Sequence, residues 1–180
     1  GVDRDQVDRG DVALGRRDDG RVVADIADLL FAGEQVRDHR PERWPHVKLD
    51  LYITGHGTDA YREKLKARGL DGHIRMHAPI PAVEVFKRIA EADGVLIFIP
   101  SFNKDLLGTK FTEIFYLRRP VIHVGEPGAV SEAILSRHLG TSIPVEKLVD
   151  ELPAILCGER AVAIDPSVDL SAHLLGPITE

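Results

Sequence analysis

Cysteine is nearly missing from this chain: Cys157 is the only one in 180 residues. One thiol makes neither an intramolecular disulfide nor a Cys-based zinc site, and its scarcity suits a reducing compartment. Long apolar runs are missing too. The longest, Val95–Pro100, is far short of the roughly 20 residues that span a bilayer. The charged N-terminus does not read as a signal peptide. Basic charge is in deficit, with 23 Lys and Arg against 29 Asp and Glu and a net charge of −6. That balance argues against non-specific nucleic-acid binding, which runs on clustered cations. A small anion remains a feasible ligand, since backbone amides and one or two cations hold phosphate locally.

What is present is globular composition, 43% hydrophobic and 29% charged, which excludes a disordered or collagen-like chain. Residues 1–21 alternate Asp and Arg with little to bury, and we read them as a charged linker or disordered arm. The sequence opens on Gly1 rather than Met, so we expect it to be cut from a longer chain. Val22–Val36 fits a helix, or a helix followed by a short strand at Asp28–Ala32. Arg40-Pro41 and Trp44-Pro45 end regular structure.

Beyond Pro45 the pattern sharpens. Val47–Thr54 alternates as a strand and ends in the turn Gly55-His56-Gly57. Asp59 opens a helix to Arg68 that Gly69 closes. His73–His77 is a short strand, and Pro79 and Pro81 stiffen the loop behind it. Val83, Phe86, Ile89 and Ala90 carry a helix to about Ala92. Val95–Ile99 is apolar throughout, as a strand covered on both faces should be. Thr109–Leu117, Ala129–His138 and Val145–Leu156 read as helices. Between them, Pro120–Val124 and Thr141–Ile143 read as strands. Residues 22–158 thus form one α/β domain, a Rossmann-like parallel sheet with helices on both faces. Residues 159–180 are a C-terminal tail with room for a helix. Such sheets bind ligands beyond the carboxyl ends of their strands, which singles out the loops after Thr54, Met76, Ile99 and Val124.

Gly55-His56-Gly57 has no third glycine at position 60, which is Ala60, so it fits a tight turn as well as a phosphate turn. There is no P-loop and no G-x-S-x-G elbow around Ser101. The eight histidines show no helical metal pair, and no metal is expected. The most informative stretch is Ile99–Val124. There a buried strand ends, a polar loop crosses the sheet, and a helix begins near Gly108–Lys110. A helix N-terminus stabilises phosphate, and Lys110 adds a cation. Glu113 shares its face and suits sugar hydroxyls. A solvated Lys110–Glu113 pair, worth a few tenths of a kcal/mol, fits the spacing equally well.

The order from Val47 to about Leu156 resembles the C-terminal, nucleotide-sugar-binding domain of GT-B glycosyltransferases of the family 4 type. The matching pieces are Leu51–Gly57, Ile74–Pro81, Val85–Asp93, Gly108–Phe115 and Arg119–Ile122. The resemblance implies a retaining, hexosyltransferase-type enzyme that takes a sugar from a nucleotide diphosphate carrier, without a cofactor. It implies that Glu113 binds the donor ribose and that the loop around Ile80 holds the base. Ser101, Gly108, Thr109 and Lys110 would approach the diphosphate and sugar, beside Gly55 and Gly57. The family's E-x7-E spacing puts its first acid at Asp105, a shorter side chain, and Lys110 with Asp105 would serve catalysis.

The sequence departs from the family at Ala78, where a glycine is usual. It offers no match to the family's first strand between Val22 and Arg43. The acceptor-binding domain is absent, so we expect a donor-binding half inactive by itself. We expect it in the cytoplasm, with any peripheral membrane contact made through the missing domain and no nucleic-acid partner. The alternatives are half of a sugar-nucleotide epimerase, or a non-catalytic module that binds a nucleotide or a protein.

Overall fold

The computed structural model describes residues 26–52, 58–78, 80–99, 103–105 and 109–169. The arm at 1–21 and the positions of Gly55, Gly57, Ser101 and Gly108 lie outside these. The first element is a single helix, α1 (Ile26–His39), so Asp28–Ala32 continues the helix and makes no strand. Leu29, Leu30, Ala32 and Val36 are buried along it. That spacing suits one face of a helix and no strand. A turn and a short 3-10 segment at Trp44–His46 follow, where the two prolines forbid helix.

The remaining elements alternate: β1 (Leu49–Tyr52), α2 (Thr58–Ala67), β2 (Ile74–His77), α3 (Ala82–Glu91), β3 (Val95–Ile99), α4 (Thr109–Tyr116), β4 (Val121–Gly125), α5 (Ala129–Ser136), β5 (Gly140–Ile143) and α6 (Leu148–Leu156). Gly69 ends α2 in the left-handed region, with φ of 66°. The Leu70 amide then bonds to the Leu65 carbonyl at 2.9 Å, and the Gly69 amide to that of Lys66 at 3.0 Å. These two bonds satisfy carbonyls that a helix end otherwise leaves open.

The strands form two parallel groups, β1 with β2 and β3-β4-β5. Leu49 pairs with Ile74, Ile97 with His123, and His123 with Ser142. Parallel pairing puts the carboxyl ends within each group on one edge. One face of both groups, carrying Leu49, Leu51, Leu96, Phe98, Ile122 and Val124, packs against α1 and α6, while α2 lies over β2 beside α1. The opposite face, carrying Val95, Ile97, Ile99 and Val121, packs against α3, α4 and α5. Helices therefore flank the sheet on both sides, in a Rossmann-like α/β arrangement. Val95–Ile99 departs from its expected full coverage: all five residues are only half-buried. The fully covered strand is β4, which has a ladder on each edge. Among the described residues β3 is paired on one edge only.

The tail continues from α6 as turns and extended chain through residue 169, without a helix among the described residues. Val162 packs on the α1 face, and Ile164 and Val168 on the α4 face.

Close approach, more than turn geometry, fixes Gly140 at the start of β5. Its φ is 154°, and a Cβ there would lie 2.0 Å from the Val121 carbonyl oxygen, a ladder partner that has nowhere to go. Gly140→Ala should therefore destabilise the fold by about 3 kcal/mol or more, combining strain and overpacking. Gly72→Ala meets nothing within 4 Å and should stay within about 0.5 kcal/mol of the parent. Denaturant melts of the two variants check the contrast.

Candidate ligand-binding edge

Tyr52, His77, Ile99, Gly125 and Ile143 stand at the carboxyl ends of the five described strands. Of the residues singled out from sequence, Thr109 and Lys110 stand in the first turn of α4 and Glu113 one turn further in. The helix is seated by Phe111, Ile114 and Phe115, all buried against β4 and α5. Ile80 is half-buried in the loop after β2. Pro81 ends that loop, and its carbonyl accepts the amides of Glu84 and Val85 at 2.9 and 3.2 Å, starting α3.

Asp105 has a partner that sequence spacing did not reveal. Its Oδ1 accepts the Ala129 amide at 3.0 Å, and the Lys104 carbonyl accepts the Val130 amide at 3.0 Å. The loop after β3 is thereby clamped to the first turn of α5, where a carboxylate also meets the positive end of the helix. Lys104 Nζ lies 3.6 Å from a Glu126 carboxylate oxygen and closes the same junction. A Cβ on Gly128 would sit 2.8 Å from Asp105 Oδ1, so only glycine lets the two loops approach this closely. Gly128 itself donates to Ser131 Oγ at 2.9 Å. With these amides occupied, the α5 N-terminus offers little to an anion. An open groove beside it, lined by Pro127, Gly128, Ser131, Glu132, Leu135 and Ser136, has an acid and no cation.

A second polar cluster lies on β1 and β2. Their alternation puts Leu49, Leu51, Ile74 and Met76 under helices and turns Asp50, Tyr52, Arg75 and His77 to the other face. His77 Nε2 is 2.6 Å from Asp50 Oδ1, and Arg75 donates to Asp50 Oδ2 at 3.0 Å. Partial burial pushes the Asp50 carboxyl up, but the bonds from His77 and Arg75 together outweigh it and hold it below its ordinary range. Tyr52 and His77 stack with ring centres 4.8 Å apart, at the carboxyl edge. Sequence spacing did not show that these four residues meet. The signal was there in Leu49-Asp50-Leu51-Tyr52, which alternates.

His123, central in β4, is wholly buried. Its Nδ1 is 2.8 Å from Ser142 Oγ, while Nε2 has no hydrogen-bond partner among the described residues. A Cβ on Gly125 would lie 3.1 Å from Nε2, so the ring leans toward the carboxyl edge. Burial pushes the imidazole pKa down from its ordinary 6.5. By contrast, Arg119 sits at the amino edge, where its guanidinium donates to the Ala90 carbonyl and ties α3 to β4. Burial raises the Cys157 thiol, which makes it a poor nucleophile. Among the described residues no group of acids, His and Cys has the makings of a metal site, and no helix is long and apolar enough to cross a membrane.

No protein-family model matches the chain, and no curated protein matches it. Among solved structures it is similar to the pneumococcal O-GlcNAc transferase GtfA in complex with UDP and GlcNAc, at 16% identity and a TM-score of 0.53. The match covers 73% of this chain and 25% of that one, so this chain spans about a quarter of the neighbour's length. At this identity the likeness establishes fold alone: a Rossmann-like half of the GT-B type.

Two predictions follow from the geometry. Asp105→Ala should cost about 1 kcal/mol, the usual loss when a helix N-terminal acceptor is removed, and Asp105→Asn less, because it keeps an acceptor. Thermal melts without ligand check this. For His123, the folded pKa lies below the unfolded one, so its contribution is whole above about pH 6.5 and is lost as pH falls further. The added slope approaches about 1.4 kcal/mol per pH unit for one proton. His123→Gln should flatten the stability profile between pH 6.5 and pH 5, read by denaturant titration.

Proposed function

We propose that this chain is the donor-binding half of a retaining glycosyltransferase, of hexosyltransferase type, that takes a sugar from a nucleotide diphosphate carrier. The observation that carries the reading is its likeness in fold to a transferase solved with UDP and GlcNAc. The position of α4 supports it, since the helix starts at the carboxyl edge with Thr109 and Lys110 in its first turn.

In this reading the departing diphosphate is stabilised by the free amides of the α4 N-terminus and by the Lys110 ammonium. Fixed donors aimed at developing charge are the main source of catalysis in such a site, and the proposal needs no cofactor. Gly108 and Ser101, with Gly55 and Gly57, would approach the diphosphate and sugar. Glu113 accepts hydrogen bonds from the ribose hydroxyls, and Ile80 offers an apolar surface to the base. Asp105 has Oδ1 engaged by α5; its contribution to the donor sugar rests on Oδ2. An acceptor-binding domain outside this chain completes the cleft.

The decisive variant is Glu113→Ala. Hydrogen bonds to a charged acceptor are worth about 1.5–3 kcal/mol, so affinity for a nucleoside diphosphate should fall roughly tenfold or more. Glu113→Gln should fall between. Calorimetric titration with UDP, GDP and ADP reads both the loss and the base preference. Unchanged affinity would return Glu113 to a solvated pair with Lys110. The parent chain should bind without transferring sugar to any acceptor.

A further inference from the structure

His123 carries a ring nitrogen that the fold leaves over. The residue is central in β4 and wholly buried, yet Nε2 has no hydrogen-bond partner among the described residues. Buried polar atoms are nearly always paired, within the protein, by water or by a ligand. An apolar side chain would fill the same core with no polar atom left over.

The other nitrogen fixes what Nε2 can do. Nδ1 lies 2.8 Å from Ser142 Oγ, a contact set by the pairing of His123 with Ser142 across the ladder. The Ser142 hydroxyl has no other partner among the described residues, so its proton goes to Nδ1. Burial favours the neutral ring, which carries a single proton, and that proton then sits on Nε2. Nε2 is a donor in need of an acceptor.

Its position says which acceptor. Strand alternation sets His123 on the face of Ile97, Ile99 and Val121. The ring runs along β4 toward its last residue, Gly125, where a Cβ would lie 3.1 Å from Nε2. Glycine there leaves the ring tip its place at the carboxyl end of the strand. α4 begins after the carboxyl end of β3, in the same parallel group, and its first turn is seated on this face by Phe111. The positive end of that helix favours negative charge nearby. Two acids of the adjoining loops are engaged, Asp105 by the Ala129 amide and Glu126 by Lys104. A fixed donor beside a helix start suits an anionic oxygen.

We propose that the His123 Nε2–H group is a buried hydrogen-bond donor to a phosphate oxygen of a ligand held at the carboxyl end of β4. The donor-binding reading supplies the identity of that ligand, a nucleoside diphosphate; the donor itself rests on the geometry of β4. Ser142 holds the ring from behind, so the donor is in place before the ligand arrives.

Isotope-edited NMR of the imidazole in the full chain tests it, with uridine, pyrophosphate and UDP as probes. Without ligand the expected spectrum is that of the Nε2–H tautomer. Pyrophosphate and UDP should each shift the His123 Nε2 resonance and slow exchange of its proton, and uridine should do neither. His123→Leu should weaken UDP binding roughly tenfold, the loss of one bond to a charged acceptor. His123→Gln keeps an N–H donor and should recover most of that loss. An Nδ1–H tautomer in the free chain would overturn the proposal. An Nε2 resonance that UDP leaves in place while the amides of Thr109–Glu113 shift would overturn it too, and would leave the donor-binding reading standing. A response to pyrophosphate and none to UDP would uphold the phosphate donor and count against the nucleotide. A response to uridine equal to that with UDP would assign the ring to the nucleoside and overturn the proposal, and silence with all three probes would overturn it together with the donor-binding reading.

Discussion

The two ladders of β4 fix the positions from which α4 and α5 start. β4 pairs in parallel with β3 on one side and β5 on the other, and all five of its residues are buried. A parallel ladder leaves no choice of direction, so the loops that follow the strands emerge together. The α4 start and the α5 start are consequences of that single constraint. The clamp from Lys104 and Asp105 to α5 then holds the β3 loop against the same edge.

The chemistry at this edge is divided. At α5 the amides are satisfied from within the protein, and its first turn is structural. On β1 and β2, Tyr52, His77, Asp50 and Arg75 form a bonded polar surface beside the loop that precedes α3. Thr109 and Lys110 stand in the first turn of α4. Burial keeps His123 neutral in the middle of the sheet, its ring leaning toward the ligand edge. A neutral imidazole there adds polarity without charge, which an apolar core tolerates.

The local part of this account was legible in the sequence. Alternation in Val47–Thr54, the apolar run Val95–Ile99 and the stop at Gly69 each depend on a few neighbouring residues, and the structure has β1, β3 and the end of α2 where they predict. The choice of helix at Asp28–Ala32 depended on burial against α6, which no local pattern supplies. The bond from the Ala129 amide to Asp105 was not legible, because the two residues lie 24 positions apart. Coverage of β3 was over-read for the same reason: an apolar run reports a strand's character and says nothing of how many neighbours pair with it. His123 read as one histidine among eight until the ladder to Ser142 gave it surroundings.

The central claim is that a nucleoside diphosphate binds at the carboxyl edge, with its phosphates at the start of α4. Titrating UDP into isotopically labelled chain and following backbone amide shifts tests this directly. The account predicts shifts concentrated at Thr109–Glu113, Tyr52, His77 and Ile80, with His73, Gly94 and Leu139 at the opposite edge unmoved. Shifts centred on the opposite edge, or none at millimolar UDP, would contradict it.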